Sequence, residues 1–151
     1  MESIVTRDPV EVLRLRSSVR TIADYQGTAV ADAFQALEAK LPSIKGRKFY
    51  GVSSRGPSGE QYHACVEREP GEDPGRMGLE AGTIDGGAYA RRKIDDWPSV
   101  VARGGLGPII QEMMRTQPVD PSRPMVEFYR SRTELHLLIP VLSTFSGDGS
   151  R

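Results

Sequence analysis

The chain holds a single cysteine, Cys65, among 151 residues. An internal disulfide needs two, so a small secreted scaffold held by disulfide bridges is excluded. One cysteine and two distant histidines, His63 and His136, cannot close a tetrahedral zinc site, and no metal or other cofactor is expected. Charge of one sign is lacking as well, since 20 Lys and Arg balance 20 Asp and Glu. Nucleic-acid binders carry a basic surplus to meet phosphates, and polybasic membrane anchors carry a cationic cluster, so neither role is expected. No window approaches the roughly 18 apolar residues of a membrane span. The opening fifteen residues hold no apolar stretch suited to a secretion signal, so the expected location is the cytoplasm.

What is present fits one ordinary domain. A chain of this length buries about 68–70% of its unfolded surface on folding, enough for a core without staples. Hydrophobic residues at 38% and charged residues at 26% place it among soluble globular proteins. Residues 10–15 alternate as a strand. Thr28 suits a helix N-cap, and Val30, Phe34, Leu37 and Leu41 follow at helical spacing until Pro42 ends the helix. Strands are expected at 48–53 and 61–67, with a turn over 54–59. Residues 69–78 read as a loop or linker. Residues 79–92 read as a strand kinked at Gly86-Gly87, and 95–107 as irregular. A second helix enters through Pro108, carries Ile109, Ile110, Met113 and Met114, and stops at Pro118. Strands at 124–130 and 134–141 complete the pattern, and the polar tail 143–151 is expected to fray.

The order strand, helix, strand, strand thus occurs twice. Arg47 to Ser53 overlays Arg123 to Tyr129, and Gln61 to Val66 overlays Glu134 to Ile139, which sets His63 over His136. The expectation is α+β: two pseudo-symmetric units, about 8–68 and 79–142, joined by a linker at 69–78, making an antiparallel sheet with two helices on one face. A two-residue turn at Ser131-Arg132 would set Glu127 opposite His136, Tyr129 opposite Glu134 and Met125 opposite Leu138. Val126, Phe128, Leu135, Leu137 and Ile139 would then form the core face, and Met125, Glu127, Tyr129, Glu134, His136 and Leu138 a mixed face. By the same sorting Tyr50, Val52, Tyr62, Ala64 and Val66 face the core, while Phe49, Gly51, Ser53, His63 and Cys65 take the other side. The mixed face is either the solvated side of the sheet or the wall of a groove. In a groove, a carboxylate beside aromatics attracts a cation by charge and by cation–π contact. Trp97, in the irregular stretch, and Tyr89, after the glycine pair, are candidates to line it.

Residues 84–90, 124–129 and 134–141, in that order and spacing, resemble the GyrI-like domain, the effector-binding module of many AraC-type and MerR-type bacterial regulators. The resemblance covers most of the chain. It implies a pseudo-two-fold α+β fold with a ligand groove between lobes, and a glutamate on the penultimate strand that meets lipophilic cations; Glu127 matches it. The expected ligand-binding set is Glu127, Tyr129, Met125, Tyr89, Trp97, His136, Glu134 and Phe49. There is no room for a helix-turn-helix, so the resemblance is to stand-alone members, monomeric or homodimeric, that bind a small molecule. Some such members hydrolyse strained cyclopropane-containing toxins, and Glu127 would then activate a water. A third reading is an interaction module that inhibits a larger enzyme.

Overall fold

A computed structural model describes residues 2–20, 29–56 and 59–142. Thr28, the middle of the turn at 57–58 and the tail from Ser143 lie outside them. In chain order the elements are β1 (Ser3–Arg7), β2 (Val10–Arg14), β3 (Val19–Arg20), α1 (Ala29–Ala39), β4 (Phe49–Gly56) and β5 (Gly59–Glu67). There follow α2 (Pro74–Met77), β6 (Glu80–Ile84), β7 (Gly87–Ile94), α3 (Trp97–Ala102), α4 (Leu106–Thr116), β8 (Met125–Tyr129) and β9 (Leu135–Pro140). The fold is α+β, with antiparallel strand pairing throughout the described ladders. No helix among the described residues is long and apolar enough to cross a membrane.

The chain divides into two compact units, Val10–Ile84 and Met1–Pro9 with Asp85–Arg151. In the first, β4 pairs β5, β5 pairs β2 and β2 pairs β6. In the second, β8 pairs β9, β9 pairs β7 and β7 pairs β1. The strand expected over 79–92 is therefore two strands with different partners. Gly86 and Gly87 part them: a Cβ on Gly86 would stand 2.8 Å from the Pro9 backbone nitrogen, and Gly87 has φ +127°, a region that favours glycine. The stretch expected to be irregular contains α3, which Pro98 enters at its first turn.

Each unit buries an apolar sheet face under its helices. In the first unit Leu37 of α1 and Leu41 just beyond it pack on Leu13, Ala64, Val66 and Leu79, flanked by Phe34 and Phe49. In the second, Met113 of α4 and Val100 of α3 pack on Ala90, Ile94, Leu135, Leu137, Ile139 and Val141. Burying one such leucine contributes about 1.5–3 kcal/mol relative to leaving it exposed.

Two arginines at equivalent points of the overlay act as staples. Arg123, before β8, donates to the Asp120 carboxylate and the Ala88 carbonyl. Arg47, before β4, gives its N–H groups to both Glu72 oxygens at 2.9 Å and to the Glu67 carbonyl at 3.0 Å. Burial raises the Glu72 pKa, but the Glu69 N–H and the Arg47 guanidinium outweigh it and hold the carboxyl below its ordinary value. The ionised form is thus favoured in the native state. Its stabilisation is complete above the unfolded pKa of about 4.3 and is lost as pH falls through the lower folded value. Glu72→Gln is expected to lower Tm by about 3 °C or more at pH 7. In melts from pH 7 to pH 3 the gap to the parent protein should close on the acid side; a constant gap would contradict this role.

Candidate ligand-binding site

Strand β8 carries the central residue. Its observed register sets Glu127 opposite Leu137, Phe128 opposite His136, Tyr129 opposite Leu135 and Val126 opposite Leu138. This is one residue away from the pairing expected of a Ser131-Arg132 turn. The reason lies in Ser131. Its hydroxyl accepts from the N–H of Thr133 and of Glu134, and its own N–H donates to the Glu134 carbonyl, so the connection is wider than two residues. A slip of one residue exchanges the faces across the pair. Glu127, Met125 and Tyr129 therefore share the helix-covered face with Leu135, Leu137 and Ile139. His136 and Leu138 share the opposite face with Val126 and Phe128.

The first hairpin departs in the same way, with Gly51 opposite Ala64 and Val52 opposite His63. Phe49 thus lies on the helix-covered face, edge-on to Phe34 at 6.4 Å, and Tyr50 and Val52 on the other. Cys65, also on that other face, is buried, and burial pushes its thiol up to about 12, which makes it a packing residue rather than a nucleophile.

Glu127 is 1% exposed, so the solvated-face reading does not hold for it. Its Oε1 accepts the Tyr129 hydroxyl at 2.8 Å. The Tyr129 ring meets the Trp97 ring edge-on, 5.1 Å between centroids. Trp97 is fixed by three features. It opens α3 directly after Asp96, whose φ of +51° is a rare conformation for a residue with a Cβ. The Trp97 backbone N–H donates to the Thr133 carbonyl at 3.0 Å, and its indole N–H to the Ser131 carbonyl at 3.2 Å. The Ser131 turn that shifts the register thus also seats the tryptophan. Trp97 and Tyr129 are half-buried, as is Met125, while Glu127, opposite Leu137, is fully buried.

The remaining candidates lie elsewhere. Glu134 and His136 form a pair at 2.6 Å on the face away from Glu127, with the His136 ring edge-on to Phe128 at 5.7 Å. The hydrogen bond from His136 chiefly, with Lys93 and Arg130 adding, lowers the Glu134 pKa. Tyr89 is also on that face, 1% exposed, its hydroxyl on the Asp85 carbonyl at 2.5 Å and its ring under Arg123 at 5.0 Å. Phe49 belongs to the first unit. The structure therefore gathers four of the eight, Glu127, Tyr129, Trp97 and Met125, on one face of the second unit. Arg91 and Arg7, unnoticed in the sequence, stand with Tyr89 and His136 on the other.

Chemically, a carboxylate shielded from water beside two electron-rich rings is suited to a cation. Its field is screened less than at a surface, and the ring faces add cation–π attraction.

No family model matches the chain, and no curated protein does. Solved structures do. An integron cassette protein from the mobile metagenome of Vibrio cholerae superposes with a TM-score of 0.72 at 16% identity, covering 93% of this chain and 95% of that one. SAV2435 bound to tetraphenylphosphonium gives 0.68 at 12% identity, covering 94% of each chain. A hydrolase from Listeria innocua gives 0.57 at 11% identity, covering 93% and 91%. Similarity at these identities defines the fold that the chain shares with them.

Proposed function

We propose that the chain is a GyrI-like domain that binds a small lipophilic organic cation at Glu127, with Tyr129, Trp97 and Met125 as the aromatic and soft apolar walls. The observation that carries this reading is the carboxylate itself: Glu127 is 1% exposed on an apolar, helix-covered strand face, yet within reach of the half-buried Tyr129 and Trp97 rings. A carboxylate on this face, opposite Leu137 and beside aromatic rings, offers a lipophilic cation both charge and apolar contact. Methionine suits such a wall because its unbranched, polarizable side chain adapts to ligands of different shape. A protein of the same fold has been solved with tetraphenylphosphonium, a cation of this kind.

The test is calorimetry with a matched pair of ligands. Tetraphenylphosphonium and tetraphenylborate are similar in size and apolar surface but opposite in charge. The expected result is saturable binding of the cation at least about tenfold tighter than the anion, a difference of about 1.4 kcal/mol. Equal affinities, or no binding of either, would overturn the reading.

A further inference from the structure

The second unit has another sheet face, away from α3 and α4, and its chemistry is of the opposite sign. From β1 it carries Val5 and Arg7, from β7 Tyr89, Arg91 and Lys93, from β9 His136 and Leu138, and from β8 Val126 and Phe128. Strands β1 and β8 are the two ends of the order β1-β7-β9-β8, three strand spacings or roughly 14 Å apart along a flat sheet. Yet the Arg7 guanidinium lies over the Phe128 ring at 5.5 Å. The sheet is therefore curled, and this face is its concave side. The floor is apolar and buried, with Val126 at 0%, Leu138 at 1% and Tyr89 at 1% exposure.

Arg91 rises from the middle of that floor, between Ser3 on β1 and Leu138 on β9. Its Nε is buried and has no hydrogen-bond partner among the described residues. No ion pair to Arg91 or Arg7 occurs among them either. The nearby carboxylate, Glu134, is engaged by His136 at 2.6 Å, and Asp85 lies toward Tyr89. Arg47 and Arg92 also leave a buried Nε unpartnered, but among the described residues their terminal nitrogens pair with Glu72 and with Glu2 and Glu112, and Arg123 pairs with Asp120, whereas Arg91 has no such carboxylate. A guanidinium whose buried N–H has no acceptor is costly to retain unless something supplies one.

We propose that the concave face of the second unit binds a small aromatic oxyanion, a carboxylate or a phosphate monoester, through the Arg91 guanidinium. The planar fork of Arg91 matches two oxygens of such a group. Lys93 and Arg7 add positive charge, and the half-buried Val5 and Phe128 side chains on the same face meet the ring. Arg91 and Arg7 are partly exposed, so a solute has access to them. The site is independent of Glu127, which points to the other side of β8.

The test is NMR on ¹⁵N-labelled protein at low salt, following the arginine Nε–H resonances. Benzoate represents the carboxylate, phenyl phosphate the phosphate ester and benzyl alcohol the uncharged control. At least one anion should shift the Arg91 Nε–H resonance saturably, and the stronger of the two identifies the ligand class. Arg91→Gln should then weaken that anion about tenfold or more and leave tetraphenylphosphonium affinity within about twofold. Should Arg91→Gln fail to fold, Arg91→Lys, which keeps charge but loses the fork, should weaken the anion at least about threefold. Absence of saturable shifts, equal binding by benzyl alcohol, or unchanged anion affinity in the variants would overturn the proposal.

Discussion

Glu127→Gln should lower tetraphenylphosphonium affinity on the order of 10- to 100-fold and should not lower tetraphenylborate affinity. The substitution isolates charge. Glutamine keeps the shape and the acceptor oxygen that receives the Tyr129 hydroxyl at 2.8 Å, so the local hydrogen bond and the packing against Leu137 survive. What is lost is the net negative charge at a site 1% exposed. An interaction with a charged group in such surroundings is worth about 1.5–3 kcal/mol, which converts to the stated range. Calorimetry on both proteins with both ligands measures it. Parallel losses for cation and anion would mean that position 127 matters for shape alone.

Arg123→Ala should destabilise the chain by about 3–5 kcal/mol, a fall in Tm of roughly 6–20 °C. One guanidinium here joins three chain segments. It donates to the carbonyls of Gly86 at 3.2 Å, Ala88 at 2.9 Å and Val141 at 2.9 Å, and to the Asp120 carboxylate at 3.0 Å. It also covers the buried Tyr89 ring. Asp120 is held at about 2, chiefly by the hydroxyl and N–H of Ser122 and then by Arg123, so the acceptor stays ionised throughout the neutral range. Truncation leaves carbonyls at the start of β7 and just past the end of β9 without their donor, and each unsatisfied buried acceptor costs about 1–3 kcal/mol. Arg123→Lys should recover less than half of the loss, because an ammonium cannot serve a fork of acceptors. Chemical denaturation of the three proteins decides it; a loss below about 1 kcal/mol for alanine would show that the staple is dispensable.

Much of the fold was legible because local signals and packing agree. Phe34, Leu37 and Leu41 mark the apolar side of α1, Pro118 follows α4 closely, and the paired hairpins appear where β-rich runs flank turn residues. Three features were not. Strand β1 is five residues with Ile4 exposed, too short to show alternation. Helix α3 is hidden in Trp-Pro-Ser-Val-Val-Ala, whose proline and β-branched residues argue against a helix unless the proline falls in the first turn, as Pro98 does. The third is register. Nothing in Ser131-Arg132-Thr133 announces that the Ser131 hydroxyl will gather two backbone N–H groups and widen the turn.

That single residue of slip reassigns the candidate site. Glu127 and Tyr129 pass to the helix-covered side, where Trp97 joins them, while His136 and Glu134 stay on the face away from the helices and are parted from them. The resemblance picked out Glu127 by its place in a strand motif, which alternation alone does not do. Tyr89 could not be sorted from sequence because its side depends on the β7–β9 pairing, Tyr89 to Pro140, across a long sequence separation. Arg91 escaped notice for the same reason: in the run Arg91-Arg92-Lys93 neighbours look alike, and only the ladder shows that Arg92 reaches Glu2 and Glu112 while Arg91 turns to the opposite face.

The most direct measurement is a crystal structure of the protein with tetraphenylphosphonium. The phosphorus should lie within about 6 Å of the Glu127 carboxylate, the range over which a cation also feels the Tyr129 and Trp97 rings. A cation seated away from position 127, with the aromatic pair untouched, would contradict the assignment of this carboxylate as the ligand's counter-charge.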